Sequence, residues 1–151
     1  MNIKKLLLYI LITIFIGGFF GFFIMNDSNS YNDLIKPALT PASTIFPIVW
    51  TILYILMGVS LYLISQSKGD KEKSYQIYFA QLVFNSLWTL IFFGLNMKLL
   101  SIIWIIVLII LVILMIKHFY KINKLAAFLQ IPYLFWLLFA LYLSIQIFLL
   151  N

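Results

Sequence analysis

Gln81, Asn85, Trp88 and Phe92 recur at spacings of four, three and four inside a sequence otherwise dominated by aliphatic runs. That spacing places them on one face of a helix. Trp50, Tyr54, Met57 and Leu61 make a second stripe of the same kind, and Tyr133, Trp136, Ala140 and Ser144 a third. Carboxamides among aromatic rings suit recognition better than bond making, since amides donate and accept hydrogen bonds and rings offer flat apolar faces. Little else in the chain could do hydrolytic chemistry. Cysteine is absent, His118 is the one histidine, and the four acids all lie outside the apolar runs. There is no thiol nucleophile, no cysteine metal site and no acid–base pair for ordinary turnover. Three such stripes describe a site for a flat, apolar ligand.

The elements that carry the stripes must be membrane spans. Of 151 residues, 65% are hydrophobic and 9% charged, against roughly 25% charged in a soluble domain. Mean hydropathy is +1.12. The expected fold is an all-α integral membrane protein, a five-transmembrane-helix bundle forming a single domain over residues 1–151. The spans fall at about 6–25, 44–65, 75–95, 99–117 and 125–149, each near the ~20 residues a span needs. They are helical because a helix satisfies its own backbone in hydrocarbon. The runs do not alternate as barrel strands would. The first apolar run is too long for a signal peptide and no small-residue cleavage site follows it, so it is read as a retained helix. Eight of the ten basic residues flank one set of span ends; Lys36 and Lys98 flank the other. That bias predicts a cytoplasmic N-terminus, with the C-terminus and first loop extracytoplasmic, in a membrane of the bacterial inner type. It also accounts for the net charge of +6 without a nucleic-acid partner.

Buried amides are costly in lipid without partners, so Gln81 and Asn85 should face the bundle interior. Trp104 and Tyr9 are explained equally well as interfacial aromatics. His118, at the end of the fourth span, reads as an interfacial residue and not a haem ligand. The first loop, about residues 26–43, is rich in turn chemistry. Lys36-Pro37 favours extended backbone at Lys36. Thr40-Pro41 reads as a helix start, with Thr40 as N-cap and Pro41 at the first helical position. Pro47 should then bend the second span, and Pro132 should kink the fifth and free the Phe128 carbonyl. Such a loop could serve as a lid over the bundle or as a plain connector. Gly17 and Gly21 form G-x-x-x-G, which permits close helix packing, expected here within the bundle more than at a dimer seam.

The stretch 31–58, YNDLIKPALTPASTIFPIVWTILYILMG, resembles the signature of the TspO/MBR family. The second half of that signature, F-P-x-V-W-T-x-L-Y-x-x-M-G, is reproduced from Phe46 to Gly58 without a mismatch. QLVFNSLWTLIFFG at 81–94 and LAAFLQIPYLFWLLFALYLS at 125–144 fit further family blocks. The resemblance implies a five-helix bundle, often a homodimer, that binds porphyrins and other apolar ligands from the loop-covered side. By motif position it implies a site of Tyr31, Pro41, Phe46, Trp50, Tyr54, Asn85, Trp88, Trp136 and Ala140. Trp50, Trp88 and Trp136 would supply stacking faces, Asn85 an amide donor, and Ala140 a gap for a flat ring. No metal or resident cofactor is implied. The chain departs from the pattern at Ser30 and Leu39, where the family has Trp, and at Ala42, where it has Pro. The loop therefore lacks two rings, and weaker porphyrin affinity or chemistry is expected. The basic residue of the animal cholesterol motif is missing from the C-terminus, so no sterol site is expected there.

Three functions remain open at this stage. One is a sensor, receptor or carrier for tetrapyrroles. A second is photo-oxidative breakdown of bound porphyrin, with Trp50 and Trp136 as electron donors. The third is a small permease or partner subunit, although neither charged nor repeated discontinuous helices appear.

Overall fold

The computed structural model describes residues 1–24 and 29–151, with the side chains of residues 29 and 30 also undescribed. Residues 25–28, which include the start of the expected lid and the last residue of the expected first span, lie outside the described residues. Among the described residues five helices are long and apolar enough to cross a membrane: Ile3–Ile24, Ile45–Gln66, Glu72–Gly94, Lys98–Ile122 and Lys124–Leu150. The protein is an all-helical integral membrane protein, and no strand occurs among the described residues. We label the elements α1 (Ile3–Ile24), α2 (Asn29–Asn32), α3 (Ile45–Gln66), α4 (Glu72–Thr89), α5 (Lys98–Ile122), α6 (Lys124–Phe128) and α7 (Ile131–Leu150). A π turn, Leu90–Gly94, continues α4.

Packing makes a ring. α1 lies against α3 and α4, α4 against α5, and α5 against α6 and α7; the ring closes where α6 meets α3. Lipid is as apolar as leucine, so helices associate where backbones approach closely or polar groups meet. Gly58 shows the first cause. A Cβ there would lie 2.5 Å from the Ile10 Cα, so only glycine lets α3 cross α1. Gly17 does the same for a side chain, since a Cβ would lie 2.5 Å from Tyr54 Cε1. Gly17 is thus used inside the bundle, as expected. Gly21 is looser, with Thr89 Cγ2 4.0 Å from the position its Cβ would take.

The prolines act differently from expectation. α3 begins at Ile45, not at Pro41, and Thr40 does not cap it. Instead the Thr40 N–H donates to the Pro37 carbonyl at 3.0 Å and the Ile45 N–H to the Ala42 carbonyl at 2.9 Å. Two successive turns therefore use the residues read as a helix start. Pro47 consequently falls in the first turn of α3, where its missing N–H has no intrahelical partner to lose. It does not displace a bond from a span already begun. Pro132 acts more strongly than a kink: the last span is divided, with α6 ending at Phe128 and α7 starting at Ile131. Proline near an N-terminus fits a helix start, so the chain turns through Leu129 and Gln130 and begins again.

Polar side chains hold α6 to α3. The Ser60 hydroxyl donates to the Ala126 carbonyl at 2.7 Å. The Asn123 amide donates to Ser67 Oγ at 3.1 Å, and its Oδ1 accepts from the Ala126 N–H.

Candidate ligand-binding site

All three aromatic stripes face inward. Tyr54, Met57, Leu61, Gln81, Asn85, Trp88, Phe92, Tyr133, Ala140 and Ser144 are buried, while Trp50 and Trp136 are half-buried against the same core. Helical spacing alone explains this, since one inward residue in three or four puts the whole stripe inward.

Ring contacts connect the stripes. Trp50 stacks on Tyr54 with centroids 5.5 Å apart and meets Trp136 edge-on at 6.4 Å. Trp136 meets Phe46 at 5.9 Å, and Phe46 meets Tyr31 at 6.4 Å. From Tyr31 the contacts continue to Phe93 at 5.2 Å and Phe92 at 6.3 Å. Phe92 stacks on Trp88 at 5.2 Å. Seven of the nine residues implied by the resemblance thus belong to one network, with Asn85 joined through Tyr54. Ala140 is buried one turn beyond Trp136, and Pro41 is half-buried in the loop; no ring contact includes them.

The hydrogen bonds assign donors and acceptors. The Tyr54 hydroxyl lies 2.8 Å from the Gly17 carbonyl, which can only accept, so the phenol proton is committed there. Asn85 must therefore present its NH2 group to the same hydroxyl, also at 2.8 Å. One N–H of Asn85 is thus spent on Tyr54 and its second N–H is not; its acceptor Oδ1 is buried with no partner among the described residues. Trp88 Nε1 and Trp136 Nε1 are likewise buried without a partner among the described residues. Trp104 is the contrast. Its Nε1 donates to the Phe84 carbonyl at 2.9 Å and its ring stacks on Phe84 at 4.5 Å. Buried polar atoms are nearly always paired, so an acceptor and two indole donors left open within one aromatic network make this the candidate site.

The loop closes over this network. Tyr31 reaches Phe46, Phe92 and Phe93, and burial pushes its phenol pKa above the usual value. The Lys36 ammonium sits 4.5 Å over the Tyr31 ring. The π turn presents Phe92 and Phe93 to the loop; such turns recur at functional sites. Leu39, one of the positions where a family tryptophan is missing, is 67% exposed. A ring there would sit on the outer face of the loop, not within the buried network.

Sequence reasoning missed Asn151. Its amide donates to the Ile35 carbonyl at 2.9 Å and its Oδ1 accepts from the Ile35 N–H at 3.1 Å. This two-point clamp ties the loop to the end of α7. A terminal asparagine carries no local signal of such a partner, 116 residues away. Gln130 was missed too; it is fully buried, with both side-chain polar atoms unpaired among the described residues. Tyr133 was placed on a stripe but not in the site, and its hydroxyl donates to Gln81 Oε1 at 2.9 Å. His118 is half-buried, with Nδ1 2.9 Å from the Leu114 carbonyl of its own helix.

Hollows adjoin the bundle among the described residues, two of which bear on the site. The larger, about 910 Å³, lies at the end opposite the loop beside Asn2, Tyr62 and Gln66 and includes no stripe residue. The other, about 520 Å³, lies between α3 and α7 and includes Trp136.

Comparison with known proteins places the sequence in a family. The TspO/MBR family profile matches residues 9–150. The tryptophan-rich protein TspO of Archaeoglobus fulgidus is 39% identical, covering 100% of this chain and 99% of its own. That of Chlorobaculum tepidum is 34% identical over 80% of this chain and 78% of its own. The human translocator protein is 32% identical over 72% of this chain and 67% of its own. A profile match over nearly the whole length, in a five-span bundle, establishes that this chain belongs to the TspO/MBR family.

Proposed function

We propose that this protein is a membrane receptor or carrier that binds porphyrins and related flat apolar ligands between α3, α4 and α7, beneath the first loop. The observation that carries the reading is the set of open polar atoms, Asn85 Oδ1, Trp88 Nε1 and Trp136 Nε1, within one aromatic network. A tetrapyrrole offers ring faces for the indoles, N–H groups for Asn85 and acceptors for the indole donors. Its acidic side chains would lie toward Lys36. Pro41 stiffens the loop, and Ala140 leaves room beside Trp136. The whole chain, 1–151, acts as one unit. The lysine bias supports a cytoplasmic N-terminus and an extracytoplasmic loop and C-terminus in a bacterial inner membrane. Cysteines at Lys68 and Ala38, both exposed, would report that orientation to an impermeant thiol reagent. Should the protein form a homodimer, the seam would lie away from Gly17, which is occupied within the bundle. The perpendicular Trp50–Trp136 pair supports a second reading, light-driven porphyrin breakdown, in which the same site presents oxidisable indoles.

The test is a tryptophan-quenching titration with protoporphyrin in detergent. Trp50→Ala should weaken binding about tenfold, equivalent to ~1.4 kcal/mol. Asn85→Leu should cost ~0.5–1.5 kcal/mol of affinity by removing the open acceptor. Trp104→Phe should change neither affinity nor the fraction quenched by the network indoles. If only Trp104→Phe removes the quenching, the ligand lies on the lipid-facing surface and the reading fails.

A further inference from the structure

We infer that the seam between α3 and α7 is a side entrance through which the ligand passes from the bilayer to the aromatic site, with Trp136 as its gate. The inference rests on the proposed binding function.

Three observations converge on the seam. First, α3 meets the last span through α6, and α3 and α7 make no comparable backbone contact. Ser60 and Asn123 fasten the α6 end. Toward the loop the two helices stand apart. Second, the gap is a groove of about 520 Å³ whose lining includes Val49, Leu53, Leu56, Pro132, Trp136 and Phe139. Its lining is apolar, so a ligand already dissolved in lipid need not lose solvation to enter. Third, Trp136 belongs to both compartments. It lines the groove, and it also touches Phe46 and Trp50 of the inner network. Its Nε1 is buried and holds no partner among the described residues. No hydrogen bond to a neighbouring group therefore fixes this indole, unlike that of Trp104. Rotation of this one side chain would join the groove to the inner site.

The route over the top is fastened. The Asn151 amide grips both backbone groups of Ile35, and Tyr31 is wedged against Phe46, Phe92 and Phe93. A ligand arriving from water must break this clamp, whereas one arriving from lipid need only displace Trp136.

The two routes predict opposite kinetics. The protein in vesicles is mixed with protoporphyrin, and uptake and release are followed by porphyrin absorbance. Leu56→Trp fills the groove from a position outside the three stripes; Asn151→Ala loosens the loop. We expect Leu56→Trp to slow uptake and release together at least fivefold with Kd within twofold of the parent. Asn151→Ala should leave both rates within twofold. Leu56→Phe, a smaller filler, provides the same comparison if the larger variant does not fold. Parent rates in a folded groove-filled variant, or rates that rise only on loosening the loop, overturn the side entrance.

A second measurement separates this claim from the binding function. In a variant retaining Trp136 as its single tryptophan, lipids brominated along the acyl chain should quench its fluorescence, because the groove admits chains to it. A variant retaining only Trp88, buried in the network, should be quenched much less. Equal and weak quenching of both overturns the entrance even where porphyrin binds. Absence of porphyrin binding by the parent, with Trp136 quenched, overturns the ligand assignment and leaves the groove open to lipid.

Discussion

The two edges of α3 are built on opposite terms. Toward α1 it lies backbone on backbone: Gly58 admits Ile10, Gly17 admits the Tyr54 ring, and the Tyr54 hydroxyl donates to the Gly17 carbonyl. Toward the last span it is held at one end by Ser60 and Asn123, and along the rest it faces a groove lined by bulky apolar side chains. The difference shows what closes a seam in lipid. Leucine and phenylalanine gain little by touching each other instead of acyl chains. Small residues, which bring backbones together, and polar groups, which must be paired, do the closing. A membrane protein that needs a wall on one side and a way in on the other can specify both with a few residues.

The largest effect should follow damage to the closed edge. Gly58→Val places a side chain where the α1 backbone already is. The cost should exceed the ~1–3 kcal/mol usual for overpacking, because backbone cannot swing aside. The expected result is loss of monodisperse protein on size-exclusion chromatography in detergent. A folded Gly58→Val protein of parental melting temperature would mean that the two edges differ less than described.

Tyr54→Phe should come next. It keeps the ring in the Gly17 notch but removes the bond to the Gly17 carbonyl and strands the Asn85 NH2 group. An unsatisfied buried donor costs ~1–3 kcal/mol. The variant should fold and melt lower than the parent, and parental melting would show that water replaces the phenol.

A smaller loss is expected at the fastened end of the other edge. Ser60→Ala removes one interhelical hydrogen bond, worth ~0.6 kcal/mol in membranes on average. A drop of about 1–3 °C in melting temperature is the expected outcome. A large drop would show that Ser60 carries the seam alone.

The least effect belongs to the open stretch. Ile52 is 52% exposed beside the groove, so Ile52→Ala should alter stability by no more than ~0.5 kcal/mol. Substantial destabilisation there would mean that the groove is a packed interface.

Much of this architecture is legible in the sequence, for reasons that differ by residue. The five spans follow from hydrocarbon thickness, since each needs about 20 apolar residues and the runs supply them. The inward turn of Gln81, Asn85, Trp88 and Tyr54 follows from helical period and from the cost of an unpaired amide in lipid. The loop prolines were harder, because a proline is compatible with a turn as well as a helix start. Thr40-Pro41 carries the local pattern of a cap, but backbone bonds at Thr40 and Ile45 form turns instead.

What the sequence by itself determined, then, is which helices exist, which faces turn inward and which family the blocks from Phe46 to Gly58 resemble. These depend on period, length and local chemistry, all written along one segment at a time. Only the tertiary structure decided how the polar atoms divide: that Asn85 spends one N–H on Tyr54 and keeps its acceptor open, that Trp104 is satisfied while Trp88 and Trp136 have no partner among the described residues, and that Asn151 grips Ile35. Each of these depends on a partner from a distant segment, and pairing is a property of two surfaces in register. No span contains that register; it exists once Gly58 has set α1 against α3 and the break at Gln130 has aimed α7.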